Sequence, residues 1–390
     1  MSEETKAKQL KKALGYEPKL VTKTMPEEEI RRADAYCEGY KTFMDAAKTE
    51  REAVSEAVKM AEKAGFVPFD RTAPLKAGDR VYVNNRNKAL LLAVIGSRPI
   101  ADGVSIAAAH IDSPRLDLKP NPLYEDHDLA YFDTHYYGGI KKYQWTAIPL
   151  ALHGVVVLRD GTTVPVRVGE DPDDPVFCVT DLLPHLATEQ MTRKATEVVK
   201  GEDLNILIGS RPLCDDEEGE LVKLNILRIL HEKYGMTEAD FLSAELEAVP
   251  AFKARDLGFD RSLIGAYGHD DRVCAYPSML AQINVANVER TSITLIVDKE
   301  EIGSVGATGM TSRFFENTVA EIMTLAGEDS PLALRRALAH SRMLSSDVSA
   351  GFDPGYAGKF ETKNAAFMGR GLCFNKYTGS RGKGGSNDAD

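Results

Sequence analysis

Short apolar runs, each followed by polar or charged residues, mark the buried strands that the sequence predicts. Residues 90–95 and 105–109 are largely apolar stretches of strand length, and residues 293–297 form a third. Runs of this length are typical of strands that are buried on both faces. Later segments at 315–326 and 331–343 read instead as helices. This alternation of strands and helices predicts an α/β sheet.

Residues 26–64 are predicted to be helical, before the first buried strand. Apolar side chains recur there at roughly helical spacing, which indicates one long helix or two consecutive helices. Thr24 to Glu27 resembles a capping box, and Pro26 suits a first helical turn. Gly65 is a residue at which such a helix can end.

A middle block at about 121–254 has a different character. Residues 154–158 and 162–168 are rich in β-formers, and Asp160-Gly161 between them is a hairpin signal. The block carries few candidate catalytic residues. The simplest organisation is therefore one α/β domain made of residues 1–120 and 255–390, with the β-rich block of residues 121–254 inserted between its two parts.

Composition narrows the possible partners. The 390 residues carry a net charge of -11, which argues against nucleic acid and against anionic membrane surfaces. No stretch reaches the ~18 apolar residues that a membrane span needs. The charged start lacks an apolar signal core, and the five cysteines are widely spaced without a CxxC pair. A cytoplasmic protein with reduced thiols is expected.

The first candidate for chemistry is His110, which follows a predicted strand. In an extended segment, residues two apart point the same way, so Asp112 lies on the same side as His110. His110 could bind a metal through one ring nitrogen while Asp112 takes the proton on the other. The alternative is an ordinary surface polar pair.

Two further groups follow at predicted strand or helix ends. Asp270 and Asp271 precede a helix, so one could bridge two metals, although an N-cap is the commoner role. Glu300 and Glu301 follow the strand at 293–297. One glutamate could ligate a metal while the other accepts a proton from metal-activated water, although a charged turn has the same sequence.

Asp347 is a single carboxylate among serines, and alone it would be taken for a turn residue. The order of these groups and their placement at strand ends are more informative than any one of them. Two divalent ions need about six to eight protein ligand atoms, with one carboxylate bridging ions roughly 3.5–4 Å apart. His110, Asp270, Glu301 and Asp347 would supply most of them.

The chain resembles the aspartyl aminopeptidase and vacuolar aminopeptidase I family, family 18 of the metallopeptidases. The resemblance extends from residue 107 to the end and is carried, in family order, by AAAHIDSPRLDLKP, GHDDRVCAYPS, VDKEEIGSVGATG, SSDVSAGFDP and GSRGKGGSNDA. It implies a zinc-peptidase-like α/β/α sandwich interrupted by a β-rich dimerisation domain, and assembly into a tetrahedral dodecamer. It also implies peptide substrates and two divalent ions, zinc by preference, with cobalt or manganese as alternatives.

The resemblance also implies a role for each matched residue. His110 and Asp347 would hold one metal, and Glu301 the other. Asp270 would bridge the two metals. Glu300 would be the general base and Asp112 would orient His110.

Two further implications concern residues outside the matched ligands. A histidine of the dimerisation domain would enter the neighbour's active site, for which His185 is the candidate, with an ordinary surface histidine as the alternative. The family's last ligand is a histidine in a His-Ser-Pro-like motif near the C-terminus, but no histidine follows His340. The expectation is that the C-terminal part is missing and that the second metal lacks one ligand.

Other functions stay open on the sequence alone. Related two-metal sites also remove acyl groups, and a protein with a degenerate site could serve binding or assembly. The tail at 379–384 fails the phosphate-loop pattern, because Gly384 stands where Ser or Thr is required. The sequence does not select the preferred N-terminal residue of a peptide.

Overall fold

The computed structural model describes residues 5–214, 219–377 and Ser386. The chain divides into two compact units, one of residues 40–347 and one of residues 1–39 together with 348–390. The glycine-rich segment at 379–389 lies outside the described residues apart from Ser386. None of the helices in the described part is long and apolar enough to cross a bilayer.

The described residues form seven α-helices and fifteen strands. The helices are α1 (Lys6–Leu14), α2 (Glu27–Ala46), α3 (Glu50–Lys63), α4 (Leu221–Tyr234), α5 (His269–Asn284), α6 (Phe314–Leu325) and α7 (Pro331–His340). The strands are β1 (Val67–Pro68), β2 (Arg80–Asn85), β3 (Ala89–Val94), β4 (Ser105–His110), β5 (Arg115–Asp126), β6 (Leu129–Tyr137), β7 (Leu150–Val157), β8 (Thr163–Val168), β9 (Cys178–Val179), β10 (Ile206–Gly209), β11 (Glu245–Pro250), β12 (Arg255–Leu257), β13 (Leu263–Gly265), β14 (Ser292–Val297) and β15 (Arg342–Ser345).

A six-stranded mixed sheet lies in the larger unit, with strand order β1-β2-β3-β14-β4-β15. The strands β14, β4 and β15 run parallel, with Val297 opposite His110 and Ser345 opposite Ala108. Their carboxyl ends therefore meet at one edge of the sheet, which is where sites form in sheets of this class. β3 and β2 continue the sheet in antiparallel pairs.

Helices cover both faces of this sheet. Leu90 and Leu92 of β3 pack into a core with α3, α5 and the C-terminal part of α2. Leu91 and Ala93, which point the other way, pack with α6 and α7. All six residues of β3 are buried, which explains why its sequence is a continuous apolar run. The expected mixed α/β fold, with helices on either side of a sheet, is confirmed.

A second, seven-stranded sheet has the order β8-β7-β11-β5-β6-β10-β9 and is antiparallel throughout. Its strands lie between Arg115 and Pro250 and have a hydrophobic core of their own. The turn at Asp160-Gly161 joins β7 to β8 as predicted, with Gly161 at φ 87°. The helix α4 packs against this core through Ile226, Leu227 and Leu230.

The smaller unit contains α1, the first part of α2 and the segment from residue 348 onward. The ring of Phe352 lies 5.4 Å from that of Phe360 and 4.9 Å from that of Phe367. Val21 donates its N–H to Gly369 O at 2.8 Å, which ties the N-terminal part of the unit to its C-terminal part.

Two local predictions are wrong. The helix expected to reach residue 343 ends at His340, because the Ser341 hydroxyl donates to Ala337 O and accepts the N–H of Val104, after which β15 begins. Thr24 donates its hydroxyl to Val21 O instead of capping α2. The capping box lies between Thr49 and Glu52 at the start of α3, so the helical region is two helices.

Candidate metal centre

The centre lies where the three parallel strands of the six-stranded sheet end. His110 is the last residue of β4, Glu300 and Glu301 follow β14, and Asp347 follows β15. Lys299 adopts the left-handed region at φ 72°, which turns the chain directly after β14. Asp270 arrives from the first turn of α5, which packs against β4. Neighbouring parallel strands thus bring together residues that lie far apart in the sequence.

Three side chains form a group that could hold a divalent ion. One ligand atom each from His110, Asp270 and Asp347 can be chosen so that all lie within 4.8 Å of one another. The Nε2 atom of His110 is 3.1 Å from Asp270 Oδ1 and 3.9 Å from Asp347 Oδ1. Glu300 Oε2 lies 3.7 Å from the same nitrogen. One imidazole with several carboxylates is a donor set that suits zinc, so these residues fit such an ion.

Asp112 contacts His110 and the turn that carries Glu300 and Glu301. Its side chain is fully buried, and Oδ1 lies 3.3 Å from His110 Nδ1. The same nitrogen is 3.1 Å from the carbonyl oxygen of Asp112. The backbone N–H groups of Glu300 and Glu301 donate to Oδ1 and Oδ2, each at 3.2 Å. This carboxylate therefore holds both the imidazole and the two-glutamate turn, and it leaves His110 Nε2 directed at Asp270.

The centre places several carboxylates around the single imidazole of His110. Burial raises the pKa of Glu301 to about 7, and the negative charges of Asp270 and Asp112 reinforce the shift. Burial also raises the pKa of Glu300. Burial opposes protonation of His110, but hydrogen bonds to Asp112 and Asp270 outweigh it and raise the pKa to about 11. Burial and the crowding of like charges therefore both favour the protonated form of these glutamates.

The neighbouring residues of α5 support the centre in another way. Asp271 is fully buried and its Oδ2 accepts the N–H of His110 at 3.4 Å. Burial raises the pKa of Asp271 to about 7. Ser113 donates its hydroxyl to Asp270 O at 2.7 Å. The Asp270 side chain contacts the imidazole, and Gly268 occupies the N-cap position of α5, while the ligand role of Asp270 stays a prediction.

Glu301 lies beside the centre but outside the group of three. Its Oε2 would be 3.0 Å from a Cβ added to Gly138, so that glycine leaves room for the carboxylate. Glu301 also lines a cavity of about 460 Å³ together with His135, Tyr136 and Glu202 of the region around the second sheet. The cavity opens a polar space next to the centre.

His185 is not brought to the centre of its own chain. It lies in an exposed turn at 184–186, among the described residues. The nearby side chains of Leu182, Leu183 and Leu186 are 51%, 52% and 67% exposed. The role of His185 in a neighbouring subunit's active site therefore stays a prediction.

Sequence reasoning missed Tyr137, the last residue of β6. Its hydroxyl donates to Asp112 Oδ2 at 2.6 Å, and its ring packs on the guanidinium of Arg115. Tyr137 belongs to the other sheet, and no local pattern in the sequence connects it with Asp112. The two adjacent glycines at 138–139 were the only nearby sign of a close approach.

Comparison with known proteins identifies the family of the chain. The family described as "Aminopeptidase I zinc metalloprotease (M18)" matches residues 43–390. A probable M18 family aminopeptidase 1 of Clostridium acetobutylicum is 58% identical over 368 residues, which are 93% of this chain and 79% of that protein. A protein of the same description from Thermotoga maritima is 46% identical, again over 93% and 79%.

Solved structures give the same result. The M18 aminopeptidase crystal structure from Thermotoga maritima superposes with a TM-score of 0.91 at 45% identity, over 96% of this chain and 82% of that one. Aminopeptidase I from Clostridium acetobutylicum gives 0.87 at 56% identity, with the same coverage. The S. cerevisiae mApe1 dodecamer, at 20% identity and a TM-score of 0.69, covers 86% and 76% and shares the fold.

The family match covers most of the chain, and relatives well above 30% identity span nearly all of it. The residues at the strand ends form a group whose donor atoms suit the zinc of that family. The chain is therefore a bacterial-type member of the M18 family of zinc-dependent aminopeptidases.

Proposed function

We propose that this chain removes N-terminal residues from peptides with two divalent ions, preferably zinc, and with Glu300 as the general base. The observation that carries the proposal is the meeting of His110, Asp270, Asp347 and Glu300 at one edge of the sheet. His110 and Asp347 would hold one ion, Asp270 would bridge, and Glu301 would hold the other. Bound ions of this kind polarise the scissile carbonyl and lower the pKa of water.

Glu300 is the best-placed base among the described residues. Its backbone N–H is fixed by Asp112, while its carboxylate stands 3.7 Å from His110 Nε2 and is 44% exposed. Burial raises its pKa, which favours accepting a proton. In the proposed reaction Glu300 takes a proton from the attacking water and delivers it to the leaving amine.

A shared active site is a further part of the proposal. Residues 121–254 would form the dimerisation domain of a catalytic domain made of residues 1–120 and 255–390. His185 would act in the neighbour's centre, and exposed leucines beside it supply apolar surface for a second copy. The dodecamer named for S. cerevisiae mApe1 supports a larger assembly. A tetrahedral arrangement of its subunits would enclose the centres. The five cysteines are widely spaced in the sequence and form no CxxC pair, which suits a reducing cytoplasm.

Glu300→Gln tests the chemical proposal. The amide keeps the shape of the side chain but cannot accept the proton, so peptide turnover should fall by roughly 10²–10⁴. Zinc content after dialysis should stay near the wild-type value, because Glu300 is not assigned as a ligand. Glu316→Gln is the matched control in α6, where the wild-type carboxylate pairs with Arg313. Near-normal turnover in Glu300→Gln would refute the assignment of the base.

Glu300→Gln also tests whether two subunits share an active site. His185→Ala should be inactive by itself, but co-expression with Glu300→Gln should restore part of the activity. In a mixed dimer, one centre then combines the wild-type Glu300 of one chain with the wild-type His185 of the other. N-acyl amino acids are assayed in parallel with peptides. Cleavage of the acyl substrates alone would favour a deacylase. In the co-expression experiment, a failure to restore activity would exclude His185 from the neighbour's active site.

A further inference from the structure

A tyrosine of the seven-stranded sheet reaches beneath the metal centre of the six-stranded sheet. Tyr137 ends β6, is only 7% exposed, and donates its hydroxyl to Asp112 Oδ2 at 2.6 Å. Asp112 follows β4, which belongs to the other sheet. Among the described residues, this is a direct side-chain bond between the second sheet and the residue that orients His110.

The Asp112 carboxylate accepts three hydrogen bonds and also lies beside the imidazole of His110. A carboxylate has about four acceptor positions. Oδ1 faces His110 Nδ1 at 3.3 Å and accepts the Glu300 N–H at 3.2 Å. Oδ2 accepts the Glu301 N–H at 3.2 Å and the Tyr137 hydroxyl at 2.6 Å. Because Asp112 is fully buried, no water replaces a lost donor easily, and removal of the hydroxyl leaves a charged oxygen under-bonded.

The ring of Tyr137 is itself held in place. Arg115 lies opposite Tyr137 in the β5–β6 register, and its guanidinium carbon is 3.9 Å from the ring centroid. Arg115 is fixed in turn by Asp117 and Glu247 at 2.8 and 3.2 Å. Lys299, at the start of the glutamate turn, places its ammonium 5.2 Å from the same centroid. The hydroxyl therefore has a defined direction.

The chain after Tyr137 also passes close to the centre. A Cβ on Gly138 would lie 3.3 Å from Pro114 Cγ and 3.0 Å from Glu301 Oε2. Gly138 has φ 75°, which favours glycine. The end of β6 is thereby placed against both the His110–Pro114 segment and the glutamate turn.

We propose that Tyr137 is a positioning residue for the metal centre. By bonding to Asp112, it fixes the carboxylate that aims His110 and holds the turn carrying Glu300 and Glu301. The seven-stranded sheet thereby sets metal affinity and the position of the base, in addition to any role in assembly. This inference rests on the proposed function, because it assigns those residues to metal and proton transfer.

The test is Tyr137→Phe in the full 390-residue chain, with zinc affinity measured by competition against a chromogenic chelator. Residues that bond directly to a metal ligand, as Asp112 does to His110, are typically worth 10–100-fold in affinity. Tyr137 acts through Asp112, so a loss near the lower end, about 10-fold, is expected. Peptide turnover should show a lower kcat with a nearly unchanged KM. Tyr124→Phe is the matched control in the same hairpin, where the phenol oxygen accepts from Asn205 at 2.9 Å. Its zinc affinity should stay within about twofold of wild type.

A double-mutant cycle separates positioning from general stability. In an Asp112→Asn background the charged acceptor is absent, so Tyr137→Phe should change zinc affinity much less than it does in wild type. Equal losses in both backgrounds would overturn the proposal, as would unchanged affinity and kcat in Tyr137→Phe. If Tyr137→Phe does not fold, recovery of folding in the double variant supports the bond to Asp112, and continued failure counts against it.

The outcome for wild type separates this inference from the proposed function. If the wild-type chain binds no zinc, the proposed two-metal reaction fails first, and so does this inference. If wild type binds zinc and Tyr137→Phe binds it equally, the two-metal proposal stands and only the role of Tyr137 is rejected.

Discussion

Two charged clusters in the larger unit differ in burial and in the source of their positive charge. In the metal centre, the imidazole of His110 lies against the carboxylates of Asp270, Glu300 and Asp347, which are 53%, 44% and 56% exposed. The second cluster, which we call the junction, consists of Glu50, Lys88, Arg115 and Glu247. It lies where α3 meets the second sheet, and Arg115 and Lys88 supply its positive charge.

The pKa directions record this difference. Burial opposes the charge of Glu50, but Arg115 and Lys88 outweigh it and lower its pKa to about 2. Burial and the nearby charge of Glu50 raise the pKa of Glu247 well above its usual range, although Arg115 opposes that shift. Glu301 in the metal centre has a pKa of about 7, because burial and other carboxylates all act in the same direction.

In the junction, Arg115 and Lys88 pair with the buried glutamates. In the metal centre, one imidazole stands against several carboxylates, and a bound cation would offset the excess negative charge. Tyr137 and Arg115 connect the two clusters physically, since the ring touched by Arg115 carries the hydroxyl that bonds to Asp112.

The largest expected stability effect is in the junction. Arg115→Met leaves Glu50 and Glu247 buried without their guanidinium, and breaking such a pair costs about 3–5 kcal/mol. Urea unfolding of the metal-free chain measures it. Arg98→Met is the control, because Arg98 forms only an exposed pair with Asp102, worth about 0–1 kcal/mol. Similar small losses in both variants would mean that the junction does not depend on Arg115.

The metal centre should respond to substitution through metal content. Asp270→Ala should lose more zinc than His110→Ala, because a bridging carboxylate serves both ions and the imidazole serves one. Elemental analysis after dialysis gives zinc per chain. Stability of the metal-free chain should change little in Asp270→Ala, since its carboxylate is 53% exposed. Retention of both ions in Asp270→Ala would exclude the bridging role.

The smallest expected effect is the pH dependence of the free energy of unfolding, which has opposite signs for Glu301 in the metal centre and Glu50 in the junction. Glu301 has a folded pKa of about 7, raised above the usual 4.5, so its contribution to metal-free stability is present below pH 4.5 and is lost as pH rises to 7. Glu50 has a folded pKa of about 2, so its contribution is present above pH 4.5 and is lost as pH falls towards 2. Zinc affinity should rise between about pH 6 and 8, as Glu301 loses its proton.

Urea unfolding across pH 3–8 follows these contributions, with Glu301→Gln and zinc addition as comparisons. Glu301→Gln should remove the loss of metal-free stability between about pH 4.5 and 7. It should also make zinc affinity depend less on pH. An unchanged pH profile in Glu301→Gln would show that the proton resides elsewhere, with Asp271 as the neighbouring buried carboxyl.

Much of the fold could be predicted because it depends on local patterns. The apolar run at 90–95 predicted a strand buried on both faces, since hydrophobic burial demands that pattern wherever helices cover a sheet. The helix at 331–343 was predicted three residues too long, because Ser341 accepts the N–H of the distant Val104 and β15 follows directly. Bonds to distant backbone groups leave no mark in local spacing.

The candidate site also combines features that the sequence determined with features that only the tertiary structure decided. The sequence determined which residues can bind metal or move protons, because imidazole and carboxylate chemistry belongs to His110, Asp270, Glu300 and Asp347 wherever they lie. Only the tertiary structure decided that β14, β4 and β15 align so that their ends share one edge. It alone brought Tyr137 to Asp112, because a hydrogen bond between two sheets depends on packing and not on sequence spacing.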